Sequence, residues 1–269
     1  VRRREVLTVL AGAGTAGCVT GYTGTDRGPP GTATGDTKYD TLPLAQQGVP
    51  PTICEERLRP EGIRAISDPA FGSPDEYPAD VAGYRPLTDD ATVIGLAGDG
   101  IARAYPLTVL NVHEIVNDTL PGGSSGDGGT PAVDGVPLIV TYCPICRSGM
   151  VATRRVDGEP TVFDASGLLW KPPRINTAAA EADDRVFSDR PEGVGNGGNL
   201  VMYDAATGSY WSQMLSQAIC GPQRGTRLSL RPATITGFGD WQDAHPETEV
   251  LLPPPRSEQV LPPVGDGPG

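Results

Sequence analysis

Gly and Pro crowd into three stretches of this 269-residue chain, and that unevenness limits where a fold can form. Residues 19–51 hold 11 of them, residues 121–137 hold 9 and residues 252–269 another 9, so 29 of the 64 fall within 68 positions. Such density works against both helix and sheet, since Pro lacks the backbone donor and Gly loses the most freedom on ordering. The other 201 residues carry an ordinary globular share, enough to bury a core without help from disulfides. The pattern predicts a flexible tether over 18–51, one folded body over 52–252 with a loop at 121–135, and a disordered tail over 253–269.

The chain opens on Val1-Arg2-Arg3-Arg4-Glu5-Val6-Leu7, a basic cluster ahead of a mild apolar stretch over 6–16. That stretch has the length of a signal core and is too short to span a bilayer. Arg3-Arg4, one spacer and Val6-Leu7 resemble the twin-arginine export pattern. Thr15-Ala16-Gly17-Cys18 resembles a lipobox, with Thr15 where an aliphatic residue is usual. The reading is a signal over 1–17, removed on export, with Cys18 then lipid-modified and anchoring the protein to the outer face of the cytoplasmic membrane. The anchor makes the membrane its first partner. No run of 18 apolar residues exists, so no transmembrane span is read.

Thirty-three acidic residues against 21 basic ones leave a net charge of −12, and only Lys38 and Lys171 are lysines. Phosphate contacts need clustered positive charge, so nucleic acid is excluded as a partner. Acid excess, scarce lysine and an export signal together predict a halophilic archaeon, where high salt screens the repulsion among carboxylates. A GC-rich genome would explain Arg in place of Lys but not the acid excess.

Within the body the periodicity is mostly that of short strands. Residues 92–97 and 101–105 flank Asp99-Gly100 as a hairpin. Pro106 at a first-turn position opens a helix over 107–116, ended by Asn117-Asp118. Residues 136–142 form a buried strand that runs into Cys143-Pro144-Ile145-Cys146. Residues 150–156 and 160–163 suggest a second hairpin about Asp157-Gly158, residues 199–204 and 209–211 a third, and residues 213–219 a helix. The expected class is α+β, mainly short antiparallel strands with one or two helices, in a single domain.

Read in order, the motifs are Ala102-Arg103-Ala104-Tyr105-Pro106, His113-Glu114-Ile115-Val116-Asn117-Asp118, Tyr142-Cys143-Pro144-Ile145-Cys146, Ser166-Gly167-Leu168-Leu169, Met202-Tyr203-Asp204 and Trp211-Ser212-Gln213. Trp241 and His245-Pro246 follow. This series resembles the uncharacterised family called domain of unknown function 3179, over about 60–252. The resemblance implies that residues 170–198 are an insertion, and it implies no activity.

Chemistry therefore has to be read from side chains. Cys143 and Cys146 share one turn between strands, whereas a thioredoxin-type pair would precede an amphipathic helix. Zinc would need four ligands, and a second CxxC or a paired His is absent. Two soft thiolates with one imidazole suit copper, another thiophilic metal, or a thiol–disulfide couple. His113, one of two histidines, lies on the element before the CxxC strand, and Glu114 or Asp118 would orient it or take a proton. A packed thiol pair or structural disulfide, with His113 hydrogen-bonded in the core, fits the same residues. Outside the cytoplasm Cys54, Cys220, Cys143 and Cys146 allow three pairings, Cys54–Cys220 among them.

Tyr203, Asp204, Trp211, Ser212 and Gln213 make a second polar-aromatic cluster, either lining a ligand pocket or closing a turn around an inward tryptophan. His245 before Pro246 reads as a surface or capping residue. No nucleophile elbow, phosphate-cradling loop or dinucleotide fingerprint is present. Three functions stay open. One is an exported, lipid-anchored protein with a copper-like or thiol-redox centre at Cys143/His113, with Cys146. The second is a ligand- or partner-binding surface lipoprotein without chemistry. The third is an enzyme using Cys143 as nucleophile and His113 as base.

Overall fold

A computed structural model describes residues 43–58, 63–81, 83–98, 100–122, 135–170 and 198–258. The signal over 1–17, Cys18, the tether as far as residue 42, loop residues 123–134, insertion residues 171–197 and the tail beyond 258 lie outside the described residues. The chain divides into Val1–Thr34 and Gly35–Gly269, and every element below belongs to the second unit.

Among the described residues that unit is mostly antiparallel strand with two short helices, an α+β arrangement. In chain order the strands begin with β1 (Phe71–Gly72), β2 (Thr92–Gly98) and β3 (Ile101–Pro106), followed by helix α1 (Leu107–His113). Next come β4 (Ile115–Leu120), β5 (Val136–Cys143), β6 (Ser148–Thr153), the two-residue strands β7 (Arg155–Val156) and β8 (Glu159–Pro160), and β9 (Phe163–Trp170). The chain closes with β10 (Asn199–Asp204), β11 (Tyr210–Ser212), β12 (Gln217–Cys220), β13 (Thr234–Gly237), helix α2 (Phe238–Ala244) and β14 (Glu249–Leu251). These strands form a five-stranded sheet β1-β14-β3-β2-β13, a three-stranded sheet β4-β5-β6, a four-stranded sheet β12-β11-β10-β9, and the small hairpin β7-β8.

Strand β5 explains how the sheets stack. All eight of its residues are buried, because both faces are covered. Val136, Leu138, Val140 and Tyr142 point into a core shared with Val93, Ile94 and Leu96 of the five-stranded sheet. Ile139 and Cys143 point the other way, into a core shared with Phe163, Leu200, Met202 and Trp211 of the four-stranded sheet. The same alternation recurs in β10: Leu200 and Met202 face that second core, while Val201 and Tyr203 face a third. Residues from the start of the body cover this third core, Val49 and Ile53 among them. A disulfide between Cys54 and Cys220 pins that cover to the end of β12, one of the three pairings left open by the sequence.

Four expectations need correction. The first helix ends at His113, not at Val116, because Glu114 turns left-handed (φ 56°) and Ile115 starts β4. β-Branched Ile115 and Val116 gain more by pairing with Thr141 and Val140 of a buried strand than by extending a helix. Residues 213–219 are a tight turn followed by β12, whose four residues are all buried. The tether ends short of residue 51, since buried Val49 belongs to the body. So do residues 253–258: Asp68 bridges Glu258, and the Ala70 amide donates to buried Ser257.

Candidate functional site

The CxxC turn is built by register. Cys143 ends β5, Ser148 opposite it begins β6, and Arg147 closes the turn with φ 51°. Cys143 is wholly buried in the second core, and burial is the main cause pushing its thiol up to about 11. Its sulfur meets the Cys146 thiol and reaches the backbone of Cys146 and of Leu200 on β10. Cys146 is partly exposed and donates to the Gly198 carbonyl at 3.2 Å. Both are thiols, neighbours of each other, one sealed and one open to solvent.

A buried amide network fixes this turn to the four-stranded sheet. Asn199 Nδ2 donates to Ser148 Oγ (2.9 Å) and to Gln213 Oε1 (2.6 Å), and Ser148 Oγ also donates to that Oε1 (2.9 Å). Gln213 Nε2 donates to Thr141 Oγ1 and to the Ser148 carbonyl, both at 3.0 Å. The Gln213 amide is therefore fully occupied with protein. Asp204 is equally committed: it accepts from Trp211 Nε1 (2.8 Å), the Thr207 amide (2.6 Å) and Thr207 Oγ1. Ser212 Oγ accepts from the Leu215 amide at 3.3 Å. Burial, with a smaller contribution from Asp164, raises Tyr203 to about 12. Of the two uses foreseen for this cluster, these contacts are those of closing a turn around an inward tryptophan.

His113 stands elsewhere. Its Nδ1 donates to the Arg64 carbonyl (2.8 Å), so Nε2 is the acceptor for the Tyr84 hydroxyl (2.7 Å), against whose ring the imidazole stacks. Burial holds its pKa below the ordinary value, the neutral form that this bonding requires. Neither carboxylate orients it. Asp118 is held by Arg103 Nη1, at 2.7 Å to each oxygen, and by the Tyr105 hydroxyl at 2.6 Å. Glu114 makes no side-chain hydrogen bond or ion pair to a described residue, and burial lifts its pKa to about 7. Among the described residues no three His, Cys, Asp or Glu side chains gather as metal ligands, so His113 does not join the thiols in one donor set.

A family model described as protein of unknown function (DUF3179) matches residues 60–175 and 192–260. The chain belongs to this family. No curated protein and no solved structure matches it.

On the fold, the DUF3179 motifs are the joints between layers. His113 to Asp118 carry the chain out of α1 and through β4. Ser166-Gly167 makes a bulge in β9, where pairing to β10 shifts between Leu200 and Met202. Ser166 Oγ donates to the Val201 carbonyl (2.6 Å), and Gly167 takes φ 74°, open to glycine without strain. Trp241 lies directly over Gly95, where a β-carbon would come within 2.3 Å of its ring, and His245 stands at the C-cap of α2. Sequence reasoning missed Tyr84, Ser148, Asn199 and Arg103. Only Ser148 was accessible to it, as the residue that must face Cys143 once the turn length is known.

Proposed function

We propose that this DUF3179 protein is an exported, lipid-anchored protein whose chemistry is thiol–disulfide exchange at Cys143 and Cys146. The observation that carries the reading is the pair itself, two interacting thiols of which only Cys146 is partly exposed. Export and anchoring rest on the twin-arginine and lipobox-like patterns ending at Cys18. The Cys54–Cys220 disulfide supports them, because such bonds persist in oxidising compartments. Acidic composition suits a salt-rich exterior.

The exchange runs in two steps. The Cys146 thiolate attacks one sulfur of a partner disulfide, forming a mixed disulfide and expelling one partner thiolate. The Cys143 thiolate then attacks the Cys146 sulfur, closing the internal disulfide and releasing the second partner thiolate. Two electrons pass to the partner, and the two cysteine protons pass to solvent or to the expelled thiolates. The high thiol pKa of Cys143 makes the second step slow at neutral pH and faster with rising pH. Exchange is preferred to a copper centre because His113 spends both ring nitrogens on Arg64 and Tyr84.

The test is a redox titration of the full chain in glutathione buffers, followed by alkylation and mass spectrometry. Cys146 should alkylate first in the native protein, and a Cys143–Cys146 disulfide should form reversibly. Thiols that stay reduced across the whole range of poise would sink the reading. Export and anchoring predict that the protein fractionates with membranes and that Cys18→Ala releases it.

A further inference from the structure

A cleft of about 380 Å³ lies beside the start of β6, walled by β2, β13, the turn before β12 and the segment around Leu230 and Arg231. That size is within the range of small-molecule sites. Its walls are largely apolar, with Met150, Met214, Leu230 and Ile235 prominent, and the last two are 61% and 51% exposed at the rim. Three of the polar groups lining it are spent: Ser148 and Gln213 on each other, and Ser216 Oγ on the Met150 sulfur at 3.0 Å.

Arg231 is the exception. Its backbone is tied to β6 through the Val151 carbonyl (2.8 Å), which fixes where the side chain starts. Its Nε is buried without a hydrogen-bond partner, one of two such side-chain atoms among the described residues. Among the described residues it is also the only charged one lining the cleft. In a chain of net charge −12 a buried arginine Nε without an acceptor needs an explanation, since buried donors are nearly always satisfied.

We propose that this cleft binds a small monocarboxylate with an apolar body. A guanidinium offers its N–H donors to a carboxylate, and Arg231 brings positive charge to the wall of this cleft. The apolar walls then take the rest of the molecule. A sugar would find too few open polar groups, and a polyphosphate would meet one positive charge only. The site is independent of the thiol pair and stands whether or not Cys143 and Cys146 exchange.

The test is calorimetric or ligand-detected magnetic-resonance titration of the full chain at pH 7 with hexanoate and benzoate, each against its neutral alcohol. At least one acid should bind about tenfold more tightly than its alcohol. Arg231→Gln should bring that acid down to the level of the alcohol, with the thermal midpoint little changed, and Leu230→Ser should weaken acid and alcohol alike. Acid and alcohol binding equally, neither acid binding, or Arg231→Gln leaving the acid's affinity intact would each overturn the proposal. Should Arg231→Gln fail to fold, the acid–alcohol comparison on the wild-type chain decides alone.

Discussion

Glu114 and Asp118 stand second and last in one six-residue motif, and both are nearly withdrawn from solvent, at 7% and 2% exposure. Their surroundings divide them. At the far end of the motif β3 supplies Arg103 and Tyr105, so the Asp118 carboxylate is fully bonded. At the near end no described basic residue pairs with Glu114, and burial lifts it to about 7. Glu114 also sits in the left-handed backbone region that an unbranched polar residue tolerates poorly. Burial raises a carboxylate's pKa, and what the facing elements bring decides whether that cost is offset.

The largest effect should come from breaking the bonded end. Asp118→Ala leaves the Arg103 charge buried and should cost about 3–5 kcal/mol in denaturant unfolding. The double replacement Arg103→Met with Asp118→Leu should recover most of that loss. A cost for Asp118→Ala as small as for Glu114→Ala would break the contrast. Next in size, Tyr84→Phe removes the donor to His113 Nε2 and should cost about 1–2 kcal/mol in the same assay.

Glu114 should respond in the opposite sense. Its folded pKa of about 7 lies above its ordinary value of 4.5, so the folded state holds the proton more tightly than the unfolded chain. Stability contributed by the protonated group is complete below about pH 4.5 and is lost as pH rises through about 7. Glu114→Gln should abolish that loss and leave the variant more stable than wild type at pH 8, by about 1 kcal/mol after solvent screening. Paired thermal melts at pH 4.5 and pH 8 check the sign. The smallest effect belongs to partly exposed Cys146, whose replacement by Ser should move stability by no more than about 0.5 kcal/mol while ending oxidation of the pair.

The strands were legible wherever local pattern and tertiary burial agree. Residues 92–105, 136–142 and 199–211 alternate or run apolar for reasons that pairing then satisfies. Both helix errors, at 114–116 and 213–219, arose where apolar residues fall at helical spacing by chance and a neighbouring strand claims them. The thiol turn was legible because one short segment carries all of it. The setting of His113 was not, because its partners Arg64 and Tyr84 come from 49 and 29 residues away and neither spacing nor residue type announces them. Arg231 was hidden for a related reason: what distinguishes it is a bond it lacks.

Strand β5 gives its alternate residues to two different cores. Neither outer sheet can complete its packing until the same eight residues are in place, so loss of the central strand should release both cores in a single cooperative event. Adjacent positions then become separate gauges of one transition: Val140 reports on the side of the five-stranded sheet and Ile139 on the side of the thiols. A probe at each that melts at the same denaturant concentration would mean that the chemistry at Cys143 has no independent unfolding route to solvent.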